Sequence, residues 1–90
     1  MEKELTIGSI LKEALIEKNI SQALLAETIF VSPHTVSRVL KDKHFPNGAT
    51  FRAMIRVLAP SGENRQSWIE EKESIYKELK KQKNKRGEEK

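Results

Sequence analysis

The chain has 90 residues, a net charge of +4 and no cysteine, which sets the scale at one domain and removes disulfides and thiolate metal sites. No apolar run approaches the roughly 18 residues of a membrane span, and the opening Met1-Glu2-Lys3-Glu4 lacks the pattern of a signal peptide, so a soluble cytoplasmic chain is expected. The charge is polarised: residues 32–58 hold Arg38, Lys41, Lys43, Arg52 and Arg56 against Asp42 alone, while acids outnumber bases both before and after this stretch, up to residue 79. A local positive field of this kind suits a phosphate backbone, and it equally suits an ordinary mixed surface.

Proline, glycine and capping residues divide the chain into short helices, and no long alternating stretch argues for a sheet, so the fold class is all-α. Thr6 caps a first helix to about Lys18, with Ile7, Leu11, Ala14, Leu15 and Lys18 at helical intervals, and Asn19 suits a left-handed stop. Ser21 caps a second helix whose inner face is Leu25, Ala26 and Ile29. Ser32-Pro33 is the clearest start signal, because serine accepts from a first-turn amide and proline at the first position lacks only an N–H that would go unused. This third helix, 33–41, turns Val36, Val39 and Leu40 inward. A loop from Asp42 to Gly48 carries Phe45 as a core anchor, and a fourth helix to Leu58 buries Phe51, Met54, Ile55 and Leu58. Ala59-Pro60-Ser61-Gly62 ends it. A charged fifth helix over 63–80 carries Trp68, Ile69, Ile75, Tyr76 and Leu79, and 81–90 reads as a disordered basic tail.

The junction Phe30-Val31-Ser32 joins two short helices, with a small residue at Ala26 and apolar residues at 25, 29, 31, 36 and 39. That is the pattern that lets two helices cross closely in a helix-turn-helix. Ile7-Gly8, Ser21-Gln22, Leu25-Ala26, Val31-Ser32, Val36-Ser37-Arg38, Lys43 with Pro46, Thr50-Phe51, Met54 and Leu58 resemble the phage repressor (Cro/XRE-type, lambda repressor-like) helix-turn-helix family over residues 7–58. The resemblance implies a compact five-helix fold that places its third helix in the major groove, with the DNA-binding domain over 1–62 and the charged fifth helix over 63–80. Two departures stand out. Phe30 replaces the family's usual turn glycine, so either the turn differs or the ring is buried to offset a left-handed backbone. Leu15 and Leu40 replace a basic–acidic pair that the family often buries between helices one and three, and the two leucines are expected to touch.

Carried over by position, the base-reading residues are Pro33, His34, Ser37 and Arg38, with Arg38 suited to a bidentate guanine contact. Phosphate contacts fall to Gln22, Ser32, Thr35, Lys41, Lys43, Asn47 and Gly48, with Arg52 a less certain addition because its helix can turn it away. Trp68, Ile69, Ile75, Tyr76 and Leu79 either close the core of their own domain or form a two-fold interface, since such proteins commonly occupy paired half-sites as homodimers. The tail adds non-specific phosphate affinity or solubility.

Three function classes follow. The leading one is a sequence-specific regulator of transcription, a repressor of phage or mobile-element type acting on double-stranded DNA, with a separate protein antagonist as a candidate partner. The others are a protein-interaction module (an antitoxin or antirepressor) and an architectural or recombination accessory factor. No catalytic arrangement, cofactor motif or metal-ligand spacing is present, His34 and His44 lying ten residues apart without an acidic cluster.

Overall fold

Four of the five helices begin where a short polar side chain accepts a hydrogen bond from the first turn. In the computed structural model, which describes the backbone of residues 5–88 and the side chains of residues 5–82, the elements are α1 (Ile7–Lys18), α2 (Gln22–Ile29), α3 (Pro33–Leu40), α4 (Gly48–Leu58) and α5 (Arg65–Glu88). Thr6, Ser21, Ser32 and Asn47 accept from the amides of Ser9, Leu24, Thr35 and Thr50 at 3.0, 3.1, 3.1 and 2.8 Å. Thr6 and Ser9 do so reciprocally, forming a capping box. Each such cap contributes about 1 kcal/mol.

The first three helices also end alike. Asn19, Phe30 and Asp42 all adopt the left-handed conformation, with φ of 59°, 63° and 61°. In each case two amides fold back on the last turn: Asn19 and Ile20 on Ile16 and Leu15, Phe30 and Val31 on Glu27 and Ala26, and Asp42 and Lys43 on Val39 and Arg38. These are Schellman stops, usually built with glycine. Asn and Asp tolerate the conformation; a phenylalanine does not tolerate it cheaply.

Phe30 therefore answers the question that the turn posed, and neither expected outcome occurs. The turn keeps the left-handed geometry, and the ring is 93 % exposed. What holds the turn is its hydrogen bonds and the packing of Val31 against the core. Replacing Phe30 by glycine is expected to raise stability by about 1 kcal/mol, visible as a higher urea midpoint at unchanged slope. A lower midpoint would mean that the ring makes a stabilising contact despite its exposure.

One core joins all five helices. Leu11, Leu25, Ala26, Val36, Val39, Leu40, Phe51, Met54 and Ile55 are almost wholly buried, with Ile7, Ala14, Leu15 and Leu58 beside them. The inward faces read from helical spacing are thus the faces that pack. Leu15 and Leu40 lie in the same cluster, and no polar or charged residue is buried among the described residues. α3 packs against both α1 and α2, which fixes its orientation from two sides. At the far end of the bundle, Lys18 reaches from α1 to donate to the carbonyl of Ala59 at 2.9 Å, satisfying the end of α4.

α5 belongs to this core. Ile69 and Tyr76 are buried, and Trp68 and Leu79 pack against the cluster. The Tyr76 ring stacks on Phe51 at 4.7 Å between centroids and meets Phe45 at 5.3 Å, while its hydroxyl donates to the carbonyl of Pro46 at 2.8 Å. Of the two roles expected for Trp68, Ile69, Ile75, Tyr76 and Leu79, the packing supports the closing of their own core, and it removes Ile69 and Tyr76 from any exposed interface. Ile75 is half-buried. The backbone also stays helical through Glu88, where sequence reasoning ends the helix at Lys80 and leaves 81–90 disordered. Lys, Gln, Arg and Glu are good helix formers, and extending a helix already docked by Tyr76 avoids the cost of nucleation. The side chains of 83–90, most of the proposed basic tail, lie outside the described residues.

Candidate nucleic-acid interface

α3 carries two chemically distinct faces. At roughly 100° per residue, Val36, Val39 and Leu40 share one side, and Pro33, His34, Ser37, Arg38 and Lys41 fall within an arc of roughly 140° on the other. Burial follows this division: the first three are buried, Ser37 is half-buried, and Pro33, His34, Arg38 and Lys41 are exposed. All four residues expected to read bases therefore lie on one open surface. Ser32 and Pro33 set its start, with the serine hydroxyl accepting from the Thr35 amide and lying 3.0 Å from the Thr35 hydroxyl. Ser32 and Thr35 are thus engaged with one another as a cap, which leaves them less available as phosphate contacts.

The remaining phosphate candidates sit at helix ends. Gln22 and Gly48 are the first residues of α2 and α4, and Asn47 caps α4. The amides of Gln22 and Ala23, and of Gly48 and Ala49, have no acceptor among the described residues. Neither helix has an acid in its first turn. Such ends carry partial positive charge and unpaired donors, and suit an anion. Lys41 and Lys43 are exposed beyond α3.

Asp42 is the one acid in this basic stretch, and its role was not visible in the sequence. Its carboxylate accepts from the Thr6 hydroxyl at 2.8 Å and from the Gly8 amide at 2.9 Å. The negative charge is therefore directed at the positive end of α1, where it is stabilising, rather than at Lys41 and Lys43. The available signal was an aspartate two residues past the last inward position of α3, where left-handed stops favour Asx. Its partner, a glycine in the first turn of α1, is too remote in sequence to infer.

Arg52 falls outside the surface. Its guanidinium donates to Glu73 on α5 at 3.2 Å, so α4 turns it away from α3's partners. Among the described residues no group of three or more His, Cys, Asp or Glu side chains is placed to hold a metal ion, and no helix is long and apolar enough to cross a membrane. No family model, curated protein or solved structure matches the chain.

Proposed function

We propose that the chain is a sequence-selective, double-stranded DNA-binding regulator, acting in the cytoplasm as a repressor. The observation that carries this reading is the two-faced α3: a rigidly started helix, held from behind by α1 and α2, that offers Arg38, His34 and Ser37 on one exposed arc. In the major groove, Arg38 donates two parallel bonds to a guanine, His34 donates to a base edge or packs on a thymine methyl, and Pro33 gives only apolar contact. The unpaired amides of α2 and α4, with Lys41 and Lys43, grip phosphates and set the register. The lambda repressor-like resemblance of residues 7–58 supports the same docking, with two copies on paired half-sites.

Selection from a random duplex pool tests the reading directly, with an enriched motif as the expected result. Arg38→Ala is expected to cost about 1–3 kcal/mol and to relax preference at one base position, while Lys43→Ala weakens all sequences evenly and lowers the salt slope by about 1. Competition binding across single-base variants of the selected site separates the two. Equal losses on every sequence from both changes would remove α3 as the reading element.

A protein-interaction module is the second reading, favoured by the 93 % exposure of the Phe30 ring. Phe30→Gly distinguishes it: DNA selection should survive the change, and partner capture should not.

A further inference from the structure

On the side of α4 that faces α5 lies a groove of about 500 Å³ lined by Arg52, Arg56, Arg65, Gln66, Ile69 and Glu73. The spacing explains it. Arg52 and Arg56 are four residues apart on α4, and Arg65, Ile69 and Glu73 recur every four residues on α5, so one stripe from each helix meets the other. Three guanidinium groups thus share the groove with one carboxylate. Glu73 is already committed to Arg52 at 3.2 Å. Arg65 donates at 3.0 Å to the backbone carbonyl of Arg56, a neutral acceptor that fixes the fork without cancelling its charge. The Arg56 guanidinium has no acidic partner among the described residues. Arg56 and Arg65, neither in an ion pair among the described residues, therefore both line the groove together with buried Ile69, while Gln66 beside them donates to the Glu70 carboxylate at 3.1 Å.

A second feature points to the same kind of ligand. The first turn of α5 lines the groove through Arg65 and Gln66, and the amides of Gln66 and Ser67 have no acceptor among the described residues. Two guanidinium forks and a helix N-terminus call for an anion with more than the two oxygens of a carboxylate. A phosphate monoester offers three acceptor oxygens and a charge of about −1.5 to −2, which matches the unbalanced pair. The groove is larger than a phosphoryl group, and its volume falls in the range of small-molecule sites.

We infer that the α4–α5 groove is a binding site for a small phosphate monoester, held by Arg56 and Arg65 with Arg52 at its edge. The site is distinct from the surface proposed for DNA. Arg56 lies nine residues beyond the α4 cap Asn47, roughly 14 Å along the helix axis, so a duplex phosphate seated at that cap does not fill it. The inference stands whether or not α3 reads DNA.

The test is a titration of the full chain with phenyl phosphate, and separately with inorganic phosphate, at constant ionic strength, followed by amide NMR. Saturable shifts are expected at Arg56, Arg65, Gln66, Ser67 and Ile69, with a Kd of about 1 mM or below for phenyl phosphate and weaker binding of inorganic phosphate. Arg56→Gln should weaken binding at least tenfold. Glu73→Gln should tighten it several-fold, because it removes the competing carboxylate and releases Arg52, an effect that a purely structural role for the groove would not produce. Arg38→Ala should leave the titration unchanged. Linear shifts spread over all basic residues would overturn the inference, as would indifference to Glu73→Gln. Saturation by a glutamate-rich peptide or by duplex DNA but not by phenyl phosphate would assign the groove to a macromolecule and overturn it too.

Discussion

Gly8→Ala is expected to destabilise the protein by about 2–4 kcal/mol, a loss of more than 10 °C in Tm for a domain of this size. A β-carbon at position 8 would collide with the Leu40 carbonyl oxygen and lie 2.8 Å from both carboxylate oxygens of Asp42. The carboxylate can swing away, at the cost of its hydrogen bonds to the Gly8 amide and the Thr6 hydroxyl. The Leu40 carbonyl cannot move without the last turn of α3. The gain in helix propensity from alanine, about 1 kcal/mol, is smaller than the combined penalty. Asp42→Gly keeps the left-handed backbone available and removes the carboxylate, so in that background Gly8→Ala should cost measurably less. Additive losses in this double-mutant cycle would show that the backbone contact alone excludes a side chain at position 8.

Tyr76→Ala should be at least as damaging, costing about 3–5 kcal/mol, because it empties the aromatic cluster between α4 and α5 and strands the Pro46 carbonyl. Tyr76→Phe keeps the ring stack and isolates the hydrogen bond, with an expected loss of about 1 kcal/mol. The same pair of variants has a signature in alkali. Burial raises the Tyr76 pKa above its ordinary value of 10.0, so the folded chain holds that proton at pH values where the unfolded chain has released it. Stability from this group is therefore complete below pH 10.0 and lost as pH rises through the folded value. Urea midpoints measured across that range should fall more steeply for the wild type than for Tyr76→Phe, and parallel curves would mean that the phenol ionises without cost. Ile69 and Tyr76 of α5 are buried in the shared core, so removal of residues 63–90 opens that core. Loss of cooperative unfolding is the expected result, measured by urea titration of the shortened chain.

The helix starts and inward faces were legible because their signals are local. Thr6, Ser21 and Ser32-Pro33 announce the start of α1, α2 and α3 within three residues, and Phe51, Met54, Ile55 and Leu58 trace the buried stripe of α4 by spacing alone. The exposed arc of Pro33, His34, Ser37 and Arg38 follows from the same arithmetic once Val36 and Val39 are placed inward. Contacts between helices were not legible. Asp42 meets Gly8 across 34 residues and Tyr76 meets Pro46 across 30, and both depend on crossing geometry that no periodicity encodes. Arg52 shows the limit most clearly: its charge counted toward the basic middle of the chain, yet its helix aims it at Glu73. Phe30 failed in another way, since composition favours burying a phenylalanine and the backbone of a Schellman stop fixes its direction first.

The hydrogen bonds from Thr6 and Gly8 to Asp42 also link solvent protection at the two ends of residues 6–42. Anything that unravels the first turn of α1, such as a bulky fusion set close to Leu5 or cleavage beside it, releases the carboxylate at the carboxyl end of α3. Hydrogen exchange would report the change at a distance: the amides of Asp42 and Lys43, bonded to Val39 and Arg38, would lose protection while the middle of α1 kept it. A fusion set close to Leu5 is thus expected to perturb the last turn of α3, which carries Arg38, and a chain without one is the proper reference for assays of that arginine.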